Sequence, residues 1–400
     1  MTPWLSIVGI GEEGLDALPA ASRNLIANAE ILIGGARHLA MVDADHPAIR
    51  RTWDSPLRKT IAALRDLTGK RVVVLATGDP MSYGIGVTLT REFGRDAVAI
   101  LPTPGAFSLA AARMGWPRQE VDCLTLHGRP LALLNLFIRP GAQLLILSEN
   151  GETPAQIAKV LCERGYGAST ITVFEHMGGD REAVHEETAE SWGQTCTADL
   201  NSVAVACIAG KGAIVHSRVP GLPDDAFLND GQLTKREVRA ATLAALSPQP
   251  GALLWDVGAG CGSVAIEWMR AGGTAIAIEQ QPERCAFIAQ NAAALGTPKL
   301  EIVTGSAPQA FSELPTPDAV FIGGGVGTPD LAELCWEALP SSGRLVINAV
   351  TLEGETKLLA SHENWGGDLS QIAVSRVEPV GKFRAWTPLR TVTQLTAIKP

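Results

Sequence analysis

The stretch Leu253-Leu-Trp-Asp-Val-Gly258-Ala-Gly-Cys-Gly262-Ser-Val-Ala-Ile-Glu267 decides how this chain is read. A short apolar strand runs into three glycines spaced by two, and an amphipathic helix starts directly after them. Glycine is needed where the backbone turns sharply and where a ligand must approach the main chain. The helix N-terminus then offers unpaired amides and a positive dipole end to an anion. An acid, Glu279, closes the next strand about 20 residues on, the place from which a carboxylate binds ribose hydroxyls. The third glycine comes one residue earlier than in G-x-G-x-x-G, and Asp256 stands two residues before the first. That variant suits a ligand whose only anion is an amino-acid carboxylate rather than a pyrophosphate. S-adenosylmethionine has that shape.

Working outward, strands are expected at Leu253–Val257, Thr274–Ile278, Leu300–Val303, Asp318–Ile322, Arg344–Ala349, Gln371–Val377 and Thr391–Ile398. The last two are expected to pair antiparallel. Upstream, Thr234-Lys-Arg-Glu237 reads as a capping box opening a helix to about Leu246. Before it lies Val219–Gly231, rich in proline, glycine and acidic or amide residues, within an expected linker over 218–232. The division expected is therefore 1–217, linker, and 233–400. In the first part, apolar runs (Trp4–Val8, Arg71–Ala76, Ala97–Leu101, Ala142–Ser148, Ser169–Phe174, Ser202–Ala209) alternate with helical stretches, which indicates parallel sheet covered on both faces. Gly115-Trp116-Pro117 divides it into two lobes.

Four hundred residues with 46% hydrophobic and 19% charged content make a globular chain of two or three domains. A net charge of −9, thinly spread, argues against a nucleic-acid footprint. The longest apolar runs fall far short of the ~20 residues of a membrane span, and Trp4–Val8 follows the N-terminus with no signal-peptide pattern. Seven cysteines without C-x-x-C fit neither a disulfide framework nor a zinc clamp, and no metal is expected. A cytoplasmic enzyme is the expectation.

Three further glycine-bearing turns stand in the first half. Gly9-Ile-Gly11-Glu-Glu-Gly14 imitates a dinucleotide fingerprint, with Glu30 at the right distance, but two acids inside the turn would repel phosphates. A turn lining a cleft fits better. Ala76-Thr-Gly78-Asp79-Pro80-Met-Ser-Tyr83-Gly84-Ile-Gly86 and Pro102-Thr-Pro104-Gly105-Ala-Phe-Ser108 each follow a strand, where α/β ligands bind.

Taken together, GIGEEG, GDPMSYGIG, PTPGAFSLAAARMGWP and the LHGR of Leu126–Arg129 resemble the tetrapyrrole methylases. LTKREVRAATL, DVGAGCG, GSAPQAF (Gly305–Phe311) and FIGGGV (Phe321–Val326) resemble the Rossmann-like S-adenosylmethionine methyltransferases of the decarboxylating precorrin branch. The resemblance covers nearly the whole chain. It implies an α/β protein, with an N-terminal two-lobed tetrapyrrole-methylase fold and a C-terminal seven-stranded Rossmann-like fold. It further implies one S-adenosylmethionine per domain and a tetrapyrrole substrate, precorrin-6B. That substrate would be methylated at C5 by the first half, and at C15 with loss of the ring C acetate carboxyl by the second, giving precorrin-8X. The implied cofactor residues are Thr234, Gly258, Ala259, Gly260, Cys261, Gly262, Glu279 and Ala307, then Gly78, Asp79 and Ser108 in the first half. Ser306 stands where many such enzymes carry an Asp toward the adenine amine, so backbone contacts must serve there. A homo-oligomer is expected.

Methylating a ring carbon needs an electron-rich carbon in line with a sulfonium methyl, and the conjugated ring supplies the nucleophile. Ile322-Gly-Gly-Gly325 stands where an amine methyltransferase would carry Asn/Asp-Pro-Pro-aromatic, and it leaves room for a wide planar substrate. Lys235, Arg236, Arg239, Lys382, Arg384 and Arg390 are expected at cleft edges for the substrate's carboxylates. Gly381-Lys-Phe-Arg-Ala-Trp386 mixes cations and aromatics and suits either a flat ring or an ordinary loop. No acid for the decarboxylation is assigned; His127 and His176 are the least arbitrary histidines. The competing readings are an RNA or protein methyltransferase, and a first half that only binds substrate.

Overall fold

Alternating side chains of one buried strand build two cores in the first unit of the computed structural model, which describes residues 3–193 and 196–400. In β1 (Leu5–Ile10), Leu5 and Ile7 pack to one side, and Val8 and Ile10 to the other. β1 joins β2 (Ile31–Gly34), β3 (Ile49–Arg51), β4 (Val72–Thr77) and β5 (Val98–Leu101) in the all-parallel order β3-β2-β4-β1-β5. The helix after β5, Ala106–Met114, ends on Gly115 in the left-handed region, and a second sheet begins beyond it.

That second sheet differs from the expected parallel arrangement. It comprises β6 (Asp122–Thr125), β7 (Gln143–Leu147), β8 (Thr170–Glu175), β9 (Ala183–Thr188) and β10 (Asn201–Ala206), in the order β6-β7-β10-β8-β9. Only β6 and β7 run parallel; the other three pairs are antiparallel. The connection from β8 to β9 is too short for the crossover that a parallel neighbour requires.

The chain divides into two compact units, Met1–Leu131 with Ile138–Ile214, and Ala132–Phe137 with Val215–Pro400. In the second unit β11 (Leu253–Val257), β12 (Thr274–Glu279), β13 (Glu301–Thr304), β14 (Ala319–Ile322) and β15 (Arg344–Ala349) are parallel. β16 (Asp368–Ile372) and β19 (Val392–Ile398) complete a sheet of order β13-β12-β11-β14-β15-β19-β16, with β19 antiparallel to both neighbours. The expected strand Gln371–Val377 straddles a break: Ile372 pairs with Val392, whereas Ser375 opens a separate hairpin of β17 (Ser375–Val380) and β18 (Phe383–Pro388). Gly381-Lys-Phe-Arg-Ala-Trp386 is the turn and outer strand of that hairpin, with Phe383 and Trp386 exposed. The order reverses between β11 and β14, and such a switch point opens a ligand crevice at the strands' carboxyl ends. Among the described residues no helix is long and apolar enough to cross a membrane.

Two local expectations are corrected. The capping box does not form: helix Arg236–Leu246 has Lys235 at its N-cap and no side-chain cap. Asp224 accepts the Arg236 amide instead, at 2.9 Å, and Glu237 is taken by Arg376 at 2.6 Å. The 218–232 stretch is also no bare linker. Leu222 and Phe227 are buried in the core under Leu243 and Trp268, and the Leu222 amide donates to Glu267 at 3.0 Å. A fragment starting at residue 233 is therefore expected to be less stable than one starting at 215. Losing two buried apolar side chains costs roughly 3–6 kcal/mol. Urea unfolding of the two fragments measures the difference, and equal midpoints would restore the linker reading.

Candidate functional site

The turn after β11 decides the geometry of the crevice. Gly258 holds φ +70°, and a Cβ there would lie 2.9 Å from the Gly324 carbonyl oxygen, so the turns after β11 and β14 abut through backbone alone. Facing them, Glu279 is 4% exposed at the end of β12. Its carboxylate accepts the Gly260 amide at 2.9 Å and the Gln281 amide at 3.0 Å. These elements wall a cavity of about 650 Å³.

Of the residues expected to hold cofactor in this half, Thr234, Gly258, Ala259, Gly260, Glu279 and Ala307 line the cavity. Cys261 and Gly262 do not. Cys261 packs in the core, and burial pushes its thiol up to about 11. Gly262 caps helix Ser263–Arg270 against Ile288. Ser306 bonds to Gln280 at 3.4 Å, and Gln280 itself lines the cavity. Lys235 and Arg390 reach the wall as expected. Arg239 does not: it is fully buried, 2.6 Å from Glu267, with its guanidinium over Phe227. Arg236, Lys382 and Arg384 are exposed and away from the wall. Gln232, Arg284, Thr328 and Asn348 line it without having been singled out. Asn348 had a signal, an amide inside the apolar run of β15. It bonds to Thr242 at 3.0 Å and to Gln394 at 2.8 Å.

Asp256 lies beneath the turn, 1% exposed. One carboxylate oxygen accepts the Ala265 amide at 3.0 Å; the other has no partner. Burial, opposed by that amide and reinforced by Glu279, pushes its pKa up to about 7. The folded state thus keeps a proton that the unfolded chain releases near pH 4. Stability contributed by this group is full below that pH and is lost as pH rises toward 7. Asp256→Asn should remove the loss, so its urea midpoint relative to the unsubstituted chain should grow between pH 4 and pH 7; a constant difference would refute this.

In the first unit the turns after β1, β4 and β5 meet. Gly78 holds φ +53°, with its virtual Cβ 2.8 Å from Gly105 Cα; it donates to Ile10 and accepts from Thr103. Asp79 accepts the Met81 amide at 2.9 Å. Ser108 is exposed in the first turn of helix Ala106–Met114, 3.4 Å from Arg118. Gly78 and Asp79 thus pack against Gly105, with Ser108 three residues beyond. Arg118 and Arg129 lie over the rings of Phe107 and Tyr83 at 5.5 and 5.1 Å, a cationic aromatic surface that went unnoticed in sequence. Of the two histidines singled out, His127 is largely exposed, 3.6 Å from Glu149, whereas His176 is 3.0 Å from Glu12. Among the described residues no group of His, Cys, Asp and Glu is placed to hold a metal.

Residues 5–192 match the family model of tetrapyrrole (corrin/porphyrin) methylases, and residues 225–399 that of the precorrin methyltransferase domain. A precorrin-6Y C(5,15)-methyltransferase [decarboxylating] of Sinorhizobium sp is 43% identical over 396 residues, covering 98% of this chain and 96% of its own. The protein of the same name from Mycobacterium tuberculosis is 38% identical, covering 98% and 99%. A cobalt-precorrin-7 C(5)-methyltransferase of Salmonella typhimurium is 33% identical over 184 residues, which are 45% of this chain and 89% of that protein.

Proposed function

This chain belongs to the family of decarboxylating precorrin-6Y C(5,15)-methyltransferases, and from that premise we propose that each of its two units binds one S-adenosylmethionine and performs one methylation. The activity is S-adenosylmethionine-dependent methylation of a precorrin with decarboxylation, in cobalamin biosynthesis. On our reading the substrate is precorrin-6B and the product precorrin-8X. The first unit methylates C5, and the second methylates C15 and removes the ring C acetate carboxyl as CO₂.

The glycine turn of β11, hydrogen-bonded to Glu279 beside the switch-point crevice, carries this reading. The close-packed Gly258 backbone and the Glu279 carboxylate, both on the cavity wall, fit a ligand with ribose hydroxyls and an amino-acid end. There Gly258, Ala259 and Gly260 would take the amino-acid end, Glu279 the ribose, and the Ala307 backbone the adenine. Thr234 would close the rim, and Lys235 and Arg390 would anchor substrate carboxylates. The cofactor supplies a methyl group on a positively charged sulfur. The chain's work is to align a ring carbon with it and to keep water out. For decarboxylation the conjugated ring is the electron sink: the residues would hold the acetate carboxyl out of the ring plane, CO₂ would leave its bonding pair in the ring, and a proton would then be delivered to the remaining CH₂ carbon. In the first unit Gly78, Asp79 and Ser108 would line the corresponding place. The half-length C(5)-methyltransferase relative supports assigning one methylation to each half.

Incubated with precorrin-6B and S-adenosylmethionine, the chain should yield a product with two added methyls and one CO₂ lost, by mass spectrometry. Calorimetry should give a cofactor stoichiometry near two; a value of one would leave a single site for both methylations. Exposed Phe383 and Trp386 on the β17–β18 hairpin favour a homo-oligomer, which sedimentation velocity on the whole chain tests.

A further inference from the structure

Glu12 sits in the glycine turn after β1, and nothing above uses it. Its carboxylate is 11% exposed and meets Arg37, the His176 ring at 3.0 Å and Arg181 at 3.9 Å. His176 follows β8 at φ +47°, a conformation that a non-glycine residue keeps only where its surroundings enforce it. Beside it, Gly178 and Gly179 leave room for the Glu13 and Glu12 side chains, which a Cβ would strike. Nδ1 of His176 is 3.0 Å from the Glu12 carboxylate and 3.4 Å from the Arg181 guanidinium; the shorter contact, in which Nδ1–H donates to Glu12, selects the tautomer that leaves Nε2 bare. Among the described residues Nε2 has no partner. Partial burial, then Arg181, against Glu175 and with Arg37, lowers the pKa of the ring and keeps it neutral. From Glu12 the chain of contacts continues through Arg37 to the Thr77 hydroxyl at 3.2 Å, the residue before Gly78. Three hydrogen bonds thus join His176 to the turn assigned to the first unit's cofactor.

We propose that His176 is the base that takes the proton displaced when the first unit methylates its ring carbon, with Glu12 orienting the imidazole. This rests on the reading that the first unit methylates C5. A bridging ring carbon that exchanges hydrogen for methyl must lose a proton. Its π electrons form the new C–C bond while the methyl–sulfur pair stays on sulfur, leaving the ring cationic. The C–H bond then breaks, its electron pair returns to the ring, and the proton passes to Nε2 of His176. No oxidant or reductant is required.

Positioned general bases contribute about 10²–10⁴-fold. His176→Gln should slow C5 methylation by that factor, with C15 methylation and CO₂ loss unchanged as internal controls in the same reaction. Calorimetry should still find two cofactors bound. Substrate deuterated at C5 should show a primary isotope effect in the variant, because proton removal has become the slow step; a merely structural role would not produce one. Should His176→Gln also lose the first unit's cofactor, His176→Ala supplied with free imidazole decides: recovery of C5 methylation supports the base, and no recovery overturns it. C5 methylation within about tenfold of the unsubstituted enzyme in His176→Gln would also overturn it. Gly78→Val separates the two levels. If it leaves C5 methylation intact, the assignment of C5 to the first unit fails. If it abolishes C5 methylation while His176→Gln does not, only the base is wrong.

Discussion

Gly258→Val is expected to abolish cofactor binding in the second unit and to reduce C15 methylation and CO₂ release at least about 100-fold, the scale set by misplacing reacting groups by about 1 Å. Two effects act together. A β-branched residue at φ +70° is strained by about 1–2 kcal/mol. Its Cβ would also stand 2.9 Å from the Gly324 carbonyl oxygen and 3.0 Å from Gly324 Cα and N. Those neighbours are backbone and cannot swing aside, so the turn after β11 or the one after β14 must move, and both wall the crevice. C5 methylation should persist, and the accumulating product should carry one new methyl with all its carboxyls. Calorimetry should fall from two cofactors to one. Unaltered C15 methylation would remove this turn from the reaction altogether.

Glu267→Ala carries the second large effect, on stability. Glu267 is 2% exposed and accepts from Arg239 at 2.6 Å and from the amides of Gly221 and Leu222. Arg239 is fully buried, with Asp224 at 3.3 Å as its other carboxylate. Removing one partner of a buried pair strands the other charge, at about 3–5 kcal/mol. Two backbone donors also lose their acceptor, so the upper end is expected, read as a lowered urea midpoint for the chain or its 215–400 fragment. Arg239→Met/Glu267→Met should recover part of the loss, because no charge remains buried although the two amides stay unpaired. A single variant no less stable than the starting chain would show that the pair contributes nothing.

Legibility tracked the range over which each signal acts. The Leu253–Glu267 turn was plain because strand, glycines and helix are contiguous, and the apolar run of β11 is deeply buried. β2, β3 and β6 escaped notice because runs of three or four residues barely establish a period. β18 left no mark and β17 merges with β16 into one expected strand, because strands exposed on both faces have no apolar face to alternate. Thr234-Lys-Arg-Glu237 misled because a capping box assumes that helix ends are served locally, whereas Asp224 and Arg376 arrive from elsewhere in the chain. Within the cavity the glycines and Glu279 were readable, being tied to one turn. Gln232, Thr328 and Asn348 come from loops and strands far apart in sequence, and only the switch-point topology assembles them. Glu12 reads in sequence only as a poor neighbour for phosphate. Its pairing with His176, across 164 residues, was beyond any spacing argument.

The assignment of Ala132–Phe137 to the second unit sets a timetable for synthesis. Asn135 hydrogen-bonds the carbonyl of Ala293, 158 residues later, and the Leu136 backbone fits against Gly296, where a Cβ would come within 2.4 Å. At about 5–20 residues per second a ribosome takes roughly 8–30 s to deliver that partner segment. The hexapeptide, with three leucines among its six residues, leaves the exit tunnel long before its acceptor exists. For that interval the nascent chain displays a short apolar tract that the completed protein partly covers, burying Leu134 fully, and a holdase at the ribosome has a target there.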